Sequence, residues 1–257
     1  CNKGRTIGKD LIKEKIFKNH RGTRPNRRKI MNKKFITSGI AGILFILLIV
    51  LVKTVDVAAI GPAGTSIGLS KINGAVAGFF GTSMFWYKLT NAIGILAILI
   101  ALCFALFGGL QMILRKSLVK VDKELFSLAG LYVVVAALYV FFEKVIINYR
   151  PVIMPDETEP AASFPSSHTM LICVIMGSTM ILSGKYLKRY IENKTIRDTI
   201  QALCGFFIVL TVFGRLACGV HWFTDILGGV LISITLVAAF AGVIDMIRAR
   251  RRQKLAK

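Results

Sequence analysis

Six long apolar runs, at residues 35–52, 89–114, 125–142, 168–183, 199–212 and 226–247, alternate along the chain with stretches where lysine, arginine and glycine collect. Each run reaches or approaches the roughly 18 residues that cross a bilayer's hydrocarbon. The pattern predicts an all-α membrane protein: a bundle of six transmembrane helices over residues 35–247. Residues 53–88 break it, being glycine-rich, with Lys53, Asp56, Lys71 and Lys88 and the turn sequence Gly61-Pro62-Ala63-Gly64. They are expected to form an extramembrane loop, with a short interfacial helix ending at the aromatic belt Phe85-Trp86-Tyr87.

Composition agrees with this reading. Hydrophobic residues make up 54% of the 257 positions and the mean hydropathy is +0.65, above that of a soluble domain of this size. A formal charge of +21 would suggest a nucleic-acid partner in a soluble chain, but here the cations sit in short loops and tails beside apolar runs, as topology determinants do. No nucleic-acid partner is expected. Cys103, Cys173, Cys204 and Cys218 lie in or beside apolar runs without C-x-x-C spacing, so they read as small buried hydrophobes and not as a disulfide framework or a zinc site.

Charge also orients the spans. If six helices alternate, the basic residues 1–34, the 115–123 loop, the 185–197 loop and the basic tail at 248–257 share one side, which the positive-inside bias makes cytoplasmic. Both termini are then cytoplasmic, and loops 53–88, 143–167 and 213–225 share the outer face of the cell membrane. Residues 1–34 are expected to be a disordered basic arm. Met31 directly before a hydrophobic run is how a protein of this type could itself begin, which would make residues 1–30 upstream sequence.

The outer loops hold the candidate chemistry. His168 and His221, two of only three histidines, lie in polar punctuation beside residue types that bind phosphate: Arg150-Pro151, Pro165-Ser166-Ser167-His168, and Arg215 with His221 and Asp225. Arginine forks match phosphate oxygens with parallel charge-assisted hydrogen bonds. Ser166 and Ser167 precede an apolar run, where a helix start presents free N–H groups to an anion; an ordinary N-cap is the plainer account of the same serines. His168 on the first turn adds a proton donor. His221 and Asp225, four apart, would share one helical face, the carboxylate holding one ring nitrogen and leaving the other free to attack phosphorus. Arg215 fits that face poorly, so a turn near Gly219 is expected to fold it back.

These residues resemble the three signature motifs of the type 2 phosphatidic acid phosphatase (PAP2) superfamily, whose membrane members are six-helix lipid phosphatases and whose soluble relatives include acid phosphatases and vanadium haloperoxidases. The resemblance covers roughly residues 89–247. It implies His221 as nucleophile, Asp225 as its orienting partner, His168 as acid and base, and Arg150, Arg215, Ser166 and Ser167 as phosphate ligands, with no metal or other cofactor. Three departures stand out. The family's first motif is lysine, six residues, then Arg-Pro; here Glu143 occupies the lysine's place, and Lys144, the substitute ligand, is separated from Arg150 by only five residues. Gly214 stands where the third motif has serine, and Ser167 where the second has glycine.

The implied activity is hydrolysis of a lipid phosphate or diphosphate, such as phosphatidate, phosphatidylglycerophosphate or a polyprenyl diphosphate, through a phosphohistidine intermediate. The expected partners are that substrate and membrane lipids, with no obligate protein partner evident. A lipid phosphotransferase and a non-catalytic lipid-phosphate-binding protein are the alternatives. A transporter fits less well, since Gln111 and Gln201, the polar residues within the spans, lie near span ends. Asp156, Glu157 and Glu159 either shape the site or are simply solvated.

Overall fold

A computed structural model describes residues 27–255 except residue 156. The disorder and upstream origin expected for the N-terminal arm fall, for residues 1–26, outside the described residues, as does Asp156. Among the described residues there are seven α-helices: α1 (Arg27–Thr54), α2 (Ser70–Phe80), α3 (Met84–Arg115), α4 (Lys123–Lys144), α5 (Ser167–Lys185), α6 (Lys194–Ala217) and α7 (Phe223–Leu255). All but α2 are long and apolar enough to cross a membrane, so the six expected spans are the six observed ones. The outward faces are apolar, with Ile43, Ile95, Leu106, Val133 and Val209 all largely exposed. Only a hydrocarbon surround makes such a surface stable.

The helices overrun the apolar runs at both ends. α1 starts at Arg27, so the last residues of the stretch expected to be a disordered arm are helical; extending an existing helix costs far less than starting one, and Lys34 pairs with Asp245 of α7. Likewise the basic residues from 248 to 255 continue α7 and do not form a separate tail. Arg, Lys, Gln and Leu are strong helix formers, and cations favour a helix C-terminus. The interfacial helix α2 ends at Phe80 and not at the Phe85–Tyr87 aromatics, which belong to the first turn of α3. Gly81, at φ +61°, makes the break.

α5 is the centre of the bundle. Of its most apolar 18-residue window 67% is buried, against 17% for α3, and it packs on α3, α6 and α7 while α1 lies along α7. Close approach of α7 depends on Gly229, where a Cβ would come within 2.9 Å of Thr169 Cβ and 3.0 Å of the Ser166 carbonyl. Beneath the junction Phe164 stacks on Phe45 of α1 at 5.8 Å and meets Phe142 of α4 edge-on at 6.3 Å. Each such ring pair contributes about 0.5–1.5 kcal/mol beyond its area burial.

Candidate active site

The connections α1–α3, α4–α5 and α6–α7 meet at one end of the bundle. Asn73 of α2, fully buried, donates to the Gly68 carbonyl and to Thr224 Oγ1, and its Oδ1 accepts the Thr224 N–H at 3.1 Å. The α6–α7 turn also hangs from the other loops. Ser83 N–H donates to the Cys218 carbonyl, and the Trp222 indole N–H to the Tyr149 carbonyl at 2.7 Å. Gly219, at φ +70°, reverses the chain between α6 and α7, the turn expected there.

That reversal sets the position of His221, which lies in the turn before α7 and not on a helix with Asp225. The expected orienting contact changes accordingly. Asp225 Oδ2 is 3.8 Å from His221 Nδ1, too far for a hydrogen bond. Its carboxylate instead accepts the Trp222 N–H at 2.9 Å and Asn148 Nδ2 at 3.3 Å. The Ser163 carbonyl, 3.1 Å from Nδ1, orients the ring. A carbonyl can only accept, so Nδ1 carries the proton and Nε2 the lone pair. Nε2 is buried without a partner. Burial, then the charges of Arg215 and Arg150, hold the imidazole well below its ordinary pKa against the opposing Ser163 contact. His221 is therefore neutral near pH 7.

Arg215, in the last turn of α6, is 1% exposed. Its partners are loose and neutral: Thr90 Oγ1 at 3.4 Å, Asn91 Oδ1 at 3.5 Å, and the Tyr87 ring at 5.6 Å from the guanidinium carbon. No carboxylate pairs with it among the described residues, and its Nε is buried and unsatisfied. A buried cation in this condition calls for an anion. His168, one turn further along the same α3 wall, sets its Cδ2 3.4 Å from the place of a Cβ on Gly94. It is close enough to His221, Arg215 and Arg150 to feel their charge.

Arg150 also borders His221. It shares a cavity wall with Ser167, Glu143 and His221, and its Nη1 donates to Glu157 Oε1 at 3.1 Å. Arg150 Nε and Glu157 Oε2 are both buried without a partner. The cavity is about 20 Å³, room for about one water.

Two expected ligands are placed elsewhere. Ser166, fully buried, caps α5 through its Oγ, which accepts from Thr169 Oγ1 at 3.0 Å and Thr169 N at 3.4 Å; the plainer N-cap account holds for its side chain. Ser167, the next residue, lines the cavity. Lys144 is exposed at the end of α4 and does not line the cavity, whose α4 wall is made by Leu138, Tyr139, Phe142 and Glu143. Gly214 has a packing reason: a Cβ there would meet Thr90 Cγ2 at 2.7 Å and Trp86 Cε3 at 3.1 Å. Cys173, Cys204 and Cys218 are buried as expected, but Cys103 is exposed on α3. Sequence reasoning missed Asn73, Thr90, Asn91, Asn148 and Ser163, isolated polar residues with no motif around them. Asn148, a buried asparagine two residues before Arg150, has no signal in one sequence beyond its polarity.

The fold and site define a multi-pass α-helical membrane protein with a buried imidazole and a buried guanidinium near enough to interact through their charge. Residues 124–248 match the family model of the PAP2 superfamily. Phosphatidylglycerophosphatase B of Bacillus subtilis (strain 168) is 30% identical over 105 residues, which cover 41% of this chain and 50% of that protein. The chain thus spans about half the length of the curated relative it matches. The fold is similar to that of the first transmembrane PAP2 type phosphatidylglycerolphosphate phosphatase from Bacillus subtilis, with a TM-score of 0.54 and 18% identity, covering 84% of this chain and 96% of that one.

Proposed function

We propose that this chain is a membrane phosphatase that removes a terminal phosphate from a lipid, with phosphatidylglycerophosphate, phosphatidate and polyprenyl diphosphates as the substrate class. The observation that carries the reading is the pairing of an unpartnered, neutral His221 Nε2 with a buried Arg215 that has no carboxylate. A structural role needs neither. Neutral imidazole is the nucleophilic form, and an arginine without a counter-ion is the form that stabilises charge on transferring phosphoryl oxygens.

In this reading the bound phosphate's negative charge offsets the arginines and lets His168 take up a proton; the His221 Nε2 lone pair attacks phosphorus as the bond to the lipid oxygen breaks, and protonated His168 gives that oxygen its proton. Water, deprotonated by His168, then displaces His221 from the phosphohistidine, releasing inorganic phosphate and restoring both rings. Arg215, Arg150 and the N–H groups at the start of α5 hold the equatorial oxygens. Asp225 acts at one remove, fixing the Trp222 backbone next to His221. No metal takes part. The positive-inside bias puts this end of the bundle outside the cytoplasm.

The test is phosphate release from a panel of lipid phosphates by purified protein, in chelator, with and without acceptor lipids. The parent should release phosphate at an unchanged rate in chelator, while His221→Ala and His168→Ala lose at least about 10³-fold. An alkaline detergent quench of the parent with labelled substrate should trap a phosphoryl group on His221 that survives base and is released by acid. Activity retained by His221→Ala would end the proposal, and transfer to an added lipid in preference to water would make the enzyme a phosphotransferase.

A further inference from the structure

At the opposite end of the bundle a cavity of about 320 Å³ opens between the ends of α5 and α7, with Tyr186 in its wall. Tyr186 is 1% exposed and is fixed by hydrogen bonds to Asp122 Oδ2 at 2.7 Å and from Gln111 Nε2 at 2.9 Å. Six cations line this space and one carboxylate does. Two of the six are neutralised: Arg189 by Glu124 at 3.0 Å, and Lys185 by Asp245. The other four, Lys188, Arg248, Arg251 and Arg252, have no carboxylate partner among the described residues.

Topology alone does not require this arrangement. The positive-inside bias is met by cations anywhere in a loop, whereas here they come from two chain segments 60 residues apart and face one concavity. Arg248, Arg251 and Arg252 stand at i, i+3 and i+4, so they project from one side of α7. Bringing like charges together around a space costs free energy unless an anion fills it. The space is open and lies at the ends of two helices long and apolar enough to cross a membrane, within reach of lipid headgroups.

We propose that this cavity binds the phosphate-bearing headgroup of an anionic phospholipid, in the leaflet opposite the candidate active site. The headgroup phosphate takes the arginines of α7 and Lys188, and its acyl chains lie along the exposed apolar flanks of the bundle. This site is independent of the proposed phosphatase reaction, since it shares no residue with it.

Native mass spectrometry of the purified full chain, from detergent micelles doped with phosphatidylglycerol or phosphatidylcholine, tests it. The parent should retain phosphatidylglycerol in preference to phosphatidylcholine. Arg248→Gln/Arg251→Gln/Arg252→Gln should lose that affinity on the order of a hundredfold, about fivefold for each arginine. Glutamine keeps α7 helical, so the variant should elute like the parent. His221→Gln should retain the lipid as the parent does, which separates this cavity from the site at the other end. Equal retention of the two lipids, an undiminished affinity in the triple variant, or loss in His221→Gln alone would overturn the proposal. Displacement of the lipid by inorganic phosphate at equal concentration would also overturn it, assigning the cavity to a soluble anion.

Discussion

The two ends of this bundle handle buried charge in opposite ways. Around Asp122 nearly every polar group is answered: the carboxylate accepts from Tyr186, Tyr190, Gln111, Arg115 and Arg189. Burial alone would raise the Asp122 carboxyl, but the hydrogen bonds from Tyr186 and Arg115 and the charge of Arg189 outweigh it and hold the group down at about 2. Around His221 the reverse holds, with His221 Nε2, Arg215 Nε, Arg150 Nε and Glu157 Oε2 all buried and unanswered. A network that satisfies itself holds helices together; one left open has free energy to offer a ligand. Burial of polar residues is common to both ends, and among the buried groups satisfaction is what separates them; the unpaired cations beside Tyr186 are not buried.

The largest effect expected from disturbing this contrast is at Arg215. Arg215→Lys keeps the charge but loses the fork, and phosphate release should fall by about 10² or more while the protein folds normally; parental kcat/KM in that variant would mean that the buried guanidinium is structural. Next comes Glu143, the carboxylate in the cavity wall. Glu143→Lys restores the family's first motif and should tighten inhibition by inorganic phosphate or vanadate by about tenfold through the reversed charge. An unchanged inhibition constant would show that this position does not reach the anion.

A smaller effect, on stability more than on rate, is expected for Gly214→Ser. The added atoms collide with Thr90 and Trp86, and overpacking of this kind costs about 1–3 kcal/mol, measurable as a lower unfolding midpoint in detergent. A variant as stable as the parent would show that the α3 wall can move. Smallest is Asp122→Asn, with a loss of about 1 kcal/mol, limited by solvent screening, and no change in phosphate release. Its sign with pH is fixed: the folded carboxyl titrates below its unfolded value, so the contribution is whole above about 4 and disappears as pH falls towards about 2. A parent whose stability stays flat through that window, or an Asn variant with altered activity, would erase the distinction between the two ends.

Much of this was legible along the chain. The six spans follow from run length and apolarity, since a segment with no water around it must satisfy its backbone as a helix. His168 and His221 stand out because the chain has only three histidines, and Arg150 and Arg215 because they accompany them in motif order. What misled was local geometry. The i, i+4 spacing of His221 and Asp225 implies a shared helical face only if a helix is there, and Gly219 ends α6 before it. Ser166 and Ser167 differ by one residue, and helix phase alone decides that one caps while the other lines the cavity.

By itself the sequence determined the class of fold and the kinds of group that meet, because hydrophobic length and residue chemistry are properties of single segments. Only the tertiary structure decided who touches whom: Ser163 and not Asp225 against His221, Glu157 against Arg150, Glu143 and not Lys144 in the cavity, Thr90 and Trp86 against Gly214. Those contacts join positions from about 7 to more than 120 residues apart, and hydrogen bonds reach only about 3 Å. Distances of that order depend on how helices pack, to which no single stretch of chain holds the answer.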